Sequence, residues 1–327
     1  MLMLLRTCWL SHLIFGVLVL LAILLSPVRG EEGSWELAAA MENAWRDGST
    51  NDAAFEPILR FYKAQAGKGD ARELFRLGLC YRGGRGVRRD MPQAARLLIK
   101  AAARGDRKML LTACDVACEE AALRTIPSDS VTPLVEPLKK LRDAGDPAAT
   151  ARYAGFLLHD RAGVRKAPTH AVSLARAAAA KGDPRGKWRL GNSLLLGRGV
   201  KIDAAAAMDL LKQAAGEGES QAMVDLGRIL LNSDGSEALK AEGLAYAKQA
   251  AAADNPWGAY LLADCCYRGN GVSRDVDKAI RWYRRSAERG YARAMHLLGV
   301  RLTLEGKSAS VQVKAEGFRW LLRAPEI

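Results

Sequence analysis

Proline and cysteine are scarce in this chain, eleven and six among 327 residues. That excludes a proline-rich linker protein and a disulfide-dense miniprotein. Aromatic residues make up only 6%, yet the broad hydrophobic count reaches 49%. Such a chain can bury a large core, so intrinsic disorder and a collagen-like fibre are also excluded. Histidine occurs four times, and only His159, His170 and His296 lie beyond residue 30. None shares a motif with a cysteine or carboxylate at metal-ligand spacing. The Ser-x-x-Lys pair, in which a lysine one turn on activates a serine nucleophile, does not occur. No glycine loop follows a strand pattern, so Gly84-Arg-Gly86 is read as a turn and not as a nucleotide cradle. No catalytic residue, metal or cofactor is expected. The length allows one to three domains or a single elongated array.

The first thirty residues contain no acid and only two bases, Arg6 and Arg29. Between them, Leu13 to Leu25 is an unbroken apolar run of 13 residues. This is the layout of a secretory signal, with Val28 and Gly30 at the −3 and −1 positions before Glu31. The alternative is an uncleaved anchor, which wants about 20 apolar residues. Extending the run upstream brings in His12 and Ser11. Either way residues 31–327 are expected to be exported. The bacterial periplasm is the expected compartment, with an anchored form facing it, or secretion, as alternatives.

Beyond the leader one pair of residues keeps returning. Leu77-Gly78, Ala154-Gly155, Leu190-Gly191, Leu226-Gly227, Leu262-Ala263 and Leu298-Gly299 occupy one column, and the last five are 36 residues apart. Flanking apolar positions, such as Leu74 and Tyr81 around Leu77, complete an i, i+3, i+4, i+7 stripe. This defines helix A of a unit. A mid-helix glycine costs up to about 1 kcal/mol of propensity, and close approach of a neighbouring helix is the usual return. Glycine loops follow at Gly84-Arg-Gly86-Val87, Gly197-Arg-Gly199-Val200 and Gly269-Asn-Gly271-Val272. Three residues after each valine stand Asp90, Asp203 and Asp275, placed to cap helix B. Helix B carries stripes such as Ala94, Leu97, Leu98, Ala101 and Ala102. Each unit is thus an αα-hairpin that cannot bury both faces alone. Stacked in register, such hairpins predict an all-α solenoid wound as a right-handed superhelix.

The segments Leu77 to Asp90 and Lys278 to Gly290 resemble the two halves of a Sel-1-like repeat, in the tetratricopeptide-repeat-like superfamily. The resemblance covers roughly residues 71–325. A weaker hairpin at 31–70 is expected to start the array, which then runs over 71–327. A longer, degenerate unit at about 107–145 keeps the helix A column as Leu110, Ala113, Cys114 and Ala117. Its Pro137 falls inside the expected helix B and predicts a kink and a bend of the solenoid. The resemblance implies a non-enzymatic adaptor whose inner curve holds a protein or extended peptide. A cysteine-rich secreted branch of that family has been linked to β-lactam hydrolysis. The missing Ser-x-x-Lys pair makes an enzyme of that kind the least favoured reading. That branch also staples helix A to helix B within a unit. No helix B here carries a cysteine, so the pairing does not carry over.

Three further features are candidates for function. Cys114 and Cys118 lie i,i+4 on one helix, with Cα atoms about 6 Å apart, which permits either a disulfide or simple packing. Charge is asymmetric: residues 31–59 hold one base and seven acids, and residues 60–108 hold fourteen bases and four acids. Arg82, Arg85, Arg88 and Arg89 mark a candidate anion or partner patch. An acidic protein, an envelope polysaccharide or a lipid headgroup surface would suit it better than nucleic acid, which an exported protein rarely meets. The alternative is a solvated surface whose two blocks partly neutralise each other. Finally, Phe318 and Leu322 form an i,i+4 pair in the last helix, with no later helix to cover them. They are expected to dock onto a second copy or a partner, or to be covered by a folded-back tail.

Overall fold

The computed structural model describes residues 52–84, 86–87, 89–104, 106–118, 126–159, 163–233, 236–304 and 311–324. The leader at 1–30 and the first part of the 31–70 hairpin lie outside the described residues. Fifteen α-helices and one 3-10 helix are present, with no strand among the described residues. α1 spans Asp52–Gly67 and is followed by α2 (Ala71–Gly83), α3 (Met91–Ala102) and α4 (Arg107–Ala117). A 3-10 helix at Ser128–Leu134 leads into α5 (Val135–Asp143). Five hairpins complete the array. They are α6 (Pro147–His159) with α7 (Pro168–Ala180), α8 (Pro184–Leu196) with α9 (Ala204–Gly216), and α10 (Ser220–Asn232) with α11 (Glu237–Ala252). The last two are α12 (Pro256–Arg268) with α13 (Val276–Glu288), and α14 (Ala292–Leu304) with α15 (Val311–Arg323). Each B helix packs on its own A helix and, up to α13, on the A helix of the next unit.

Local chemistry sets the boundaries. Asp90, Asp203 and Asp275 accept hydrogen bonds from the amides of Gln93, Ala206 and Lys278 at 2.8, 3.0 and 2.8 Å. These bonds satisfy donors that the first helical turn leaves without intrahelical partners. The A helices α2, α8 and α12 stop at Gly84, Gly197 and Gly269, each left-handed at φ 65–74°. Side chains resist that conformation, and glycine adopts it without strain.

The small-residue column does what its spacing predicts. A Cβ on Gly78 would lie 2.8 Å from Leu98 Cγ of its own helix B. On Gly191 it would lie 3.1 Å from the Ala207 carbonyl oxygen, and on Gly299 2.9 Å from that of Gly317. The helices approach through these gaps, and Leu98, Leu211, Leu226 and Leu298 are fully buried around them.

The irregular unit departs from the expected form. Pro137 sits in the first turn of α5, where its missing N–H costs no intrahelical bond. Instead of a kink inside a long helix, helix B is divided into the 3-10 turn containing Pro133 and a nine-residue α-helix. Leu134 and Leu138 of the two pieces are both buried.

The array also curls further than its local pattern declares. Arg89, in the loop before α3, lies over Gly290 near the other end. A Cβ on Gly290 would be 2.7 Å from Arg89 Nε.

Candidate functional site

The A helices place one row of side chains in contact from unit to unit. In the middle of the row, Arg152 of α6 donates to Asp115 of α4 at 2.8 Å and to the Leu111 carbonyl at 3.2 Å. Arg185 of α8 pairs with the same Asp115, and at 3.1 Å with Glu219, which caps α10. Burial pulls the Arg185 guanidinium down, but Asp115 and Glu219 outweigh it and hold its pKa above the ordinary value. Asp183, the cap of α8, is raised by burial against the bond that it accepts from the Gly186 amide.

The row continues through α8 and α10. Trp188 Nε1 donates to Asp225 at 2.8 Å, and Asn192 donates to the same oxygen at 3.1 Å. Arg228 completes the shell of Asp225 at 3.3 Å. Further along, Trp257 of α12 stacks on Tyr291 with centroids 4.7 Å apart, and Tyr260 meets Tyr291 edge-on at 5.0 Å. Trp188, Trp257, Tyr260 and Tyr291 are all half-buried, with part of each ring facing solvent.

Arg189 stands out within this row. It is buried, at 5% exposure, and its guanidinium packs over Gly155 of α6. A Cβ on Gly155 would lie 2.6 Å from Arg189 Cζ. Leu261 is placed likewise two units on, where a Cβ on Gly227 would lie 3.0 Å from Leu261 Cδ2. Burial pulls the Arg189 guanidinium below the ordinary arginine value. Nothing in the sequence around Arg189 distinguishes it from the exposed arginines of other A helices; its burial follows from the packing of α8 on α6. Aligning the units does not single it out, since that position holds Arg76, Tyr153 and Asp225 as well as Leu261 and Leu297.

The sequence-predicted residues fare differently. Arg85 and Arg88 lie outside the described residues. Arg82 is half-buried. Arg89 is half-buried too, donates to Met91 Sδ at 3.2 Å and is seated on Gly290. It therefore belongs to a contact within the array, not to an open patch. The rest of the basic block is better displayed, with Arg60, Lys63, Lys68, Arg72, Arg96 and Lys100 exposed.

Cys114 and Cys118 are both thiols, with no bridge between them. Cys114 is fully buried, and burial pushes its thiol well above the usual range. Cys265 is pushed up to about 12, again by burial. Phe318 and Leu322 are exposed at 59% and 88%. Leu321 turns inward against Gly299, and Trp320 donates to Glu316 at 3.3 Å. Among the described residues, no group of three histidine, cysteine or acidic side chains could hold a metal ion. No helix among them is long and apolar enough to cross a membrane.

A family model described as the Sel1 repeat matches residues 74–106, 147–183, 184–219, 220–255, 258–291 and 292–324. The unmatched interval between the first two is the irregular unit. No curated protein matches the chain. Among solved structures, a Sel1 repeat protein from Oxalobacter formigenes is similar at 20% identity and a TM-score of 0.50, over 89% of this chain and 97% of that one. A protective antigen of uropathogenic Escherichia coli with an SLR fold is 24% identical, with a TM-score of 0.48 over 90% of this chain. The present chain spans 62% of that antigen's length. An immunity protein from Pseudomonas aeruginosa is 22% identical, with a TM-score of 0.48 over 67% of this chain and 83% of that one. Sel1 repeat proteins generally mediate protein–protein interaction and are typically non-catalytic. With six matched units over well more than half its length and the helical solenoid they form, the chain belongs to the Sel1 repeat family.

Proposed function

We propose that this protein is a non-enzymatic interaction scaffold, exported to the bacterial periplasm, that holds a protein or extended peptide on the row formed by its A helices. The observation that carries this reading is the row itself. Tryptophan, tyrosine and arginine side chains touch across unit boundaries from α4 to α10 and again from α12 to Tyr291, and apart from buried Arg189 they remain half-open to solvent. These are the residue types that anchor protein interfaces, because they present large rigid area with a polar handle. Export rests on the pattern of residues 1–30 alone.

The test is site-specific photocrosslinking in cells of the host type. A benzophenone side chain replaces Tyr260 on the A row or Lys212 on helix B. Adducts from position 260 and none from 212 are expected. Adducts from 212 alone would overturn the reading. N-terminal sequencing of the exported protein should begin at Glu31, and an intact Met1 in a membrane pellet would favour the anchor.

The exposed bases of residues 60–108 support a second reading, in which that face binds an anionic envelope polymer. No nucleic-acid partner is proposed.

A further inference from the structure

Arg189 is a buried charge without a counterpart among the described residues. Its Nε makes no hydrogen bond, and among the described residues no carboxylate pairs with its guanidinium. The nearby acids are already engaged: Asp115 by Arg152 and Arg185, Glu219 by Arg185, and Asp225 by Trp188, Asn192 and Arg228. What Arg189 does have is the Trp188 ring, 5.1 Å from its Cζ, and the bare backbone of Gly155 beneath it. Burying an unpaired charge is costly, and an apolar side chain of similar volume is often the more stable choice. The equivalent position holds Leu261 and Leu297 downstream, and where it is charged in other units the charge is partnered, Arg76 by Glu73 and Asp225 by Arg228. Packing alone therefore does not account for an arginine here, whereas a bound anion does.

We propose that Arg189 is the anchor for a carboxylate of the peptide held on the A-helix row, the planar guanidinium pairing with the two carboxylate oxygens. This rests on the scaffold reading above. A planar fork fits a carboxylate in a way that a lysine ammonium does not. The acids at 115 and 219 lie close to the anchor and disfavour a densely acidic segment, so one isolated carboxylate is the expected ligand group.

The experiment uses the full mature chain with thermal unfolding as the readout. Acetate is compared with chloride at equal ionic strength. Two peptides follow: acetyl-Gly-Gly-Gly with a free C-terminus, and amidated acetyl-Gly-Glu-Gly, which carries its carboxylate on a side chain. Binding to the native state raises the midpoint by mass action. The wild type should respond to acetate and to at least one peptide, and the peptide that responds identifies the source of the carboxylate. Arg189→Leu should be at least as heat-stable as wild type and lose the response. Arg189→Lys should bind at least tenfold more weakly. Gly155→Ala, which displaces the guanidinium without removing it, should weaken binding as well. The proposal is overturned if Arg189→Leu responds like wild type, or if no carboxylate shifts the wild-type midpoint. Crosslinks from position 260 that appear while no carboxylate response does would refute the anchor and leave the scaffold standing. A response to acetate with no adduct anywhere on the A row would refute the peptide as the source.

Discussion

Replacing Gly258 by alanine tests how the units are spaced, because the change should destabilise the array even though alanine is the better helix former. Gly258 lies in the first turn of α12, against the last turns of α11. A Cβ there would sit 2.6 Å from the Ala250 Cβ, 2.6 Å from the Ala251 backbone nitrogen and 2.8 Å from the Ala250 carbonyl carbon. Two of these three atoms belong to backbone, so no rotamer change relieves the clash. Helices α11 and α12 must instead move apart by about an ångström to restore ordinary contact distances, loosening a dry seam. Overpacking of this kind costs about 1–3 kcal/mol. Against it stands a gain of about 1 kcal/mol from helix propensity. The backbone wall places the cost toward the upper end, so a net loss of about 1–2 kcal/mol is expected. The matched control is Gly216→Ala at the end of α9, where an added Cβ meets nothing within 4 Å. There the same chemical change should stabilise by about 0.4–1 kcal/mol, chiefly by restricting the unfolded chain. Urea midpoints followed by circular dichroism at 222 nm should move in opposite directions. Repeat arrays do not always unfold in one step, so the comparison uses midpoints at equal slope. A Gly258→Ala protein as stable as wild type, or both variants shifting the same way, would refute the spacing argument.

Acid should weaken the seam at Asp146, whose carboxyl is held below the usual range chiefly by the bond from Arg107. A depressed carboxyl contributes stability above its unfolded pKa of about 3.9 and loses it as pH falls through the folded value. Arg107→Ala should therefore flatten the fall of the urea midpoint below pH 4, and an unchanged slope would rule out this pair as its source. Asp183 has the opposite sign, because burial raises it, so Asp183→Asn should remove an unfavourable contribution that grows as pH rises. For the basic face, binding to an anionic polysaccharide should weaken as salt rises to about 0.15 M, where charges are screened beyond about 8 Å. Arg85→Glu with Arg88→Glu should weaken it further, and salt-independent affinity that survives both changes would leave a solvated surface. At the other end, Phe318→Lys with Leu322→Lys should lower association in sedimentation while leaving helicity intact. A strictly monomeric wild type that loses no partner on substitution would refute docking there.

How much of this was legible in the sequence depends on the range over which each feature is encoded. The Leu-Gly column, the Asp caps and the glycine loops are local, and each repeats often enough to identify itself. Gly191 and Leu211 meet because hairpin geometry brings those positions together in every unit. The irregular unit was recognisable by its length, but not by its remedy. Pro133 and Pro137 four residues apart leave a single α-helix no way to span both, and the chain resolves this by starting the α-helix between them. The contact of Arg89 with Gly290 was not readable at all, because it depends on a small rotation added at each unit boundary and summed over the array. No window of sequence contains that sum. Arg189 is a subtler case. Read along its own helix it is one arginine among many, and composition would assign it to the surface. Its register, one residue before Leu190, holds Arg76, Asp225, Leu261 and Leu297 in other units, so no sequence pattern marks it, and only the packing of α8 on α6 buries it. A repeat protein thus carries its own internal control. Positions that fit the consensus report on packing, and a buried charge left without a partner, as at Arg189, marks where packing has given way to a different demand.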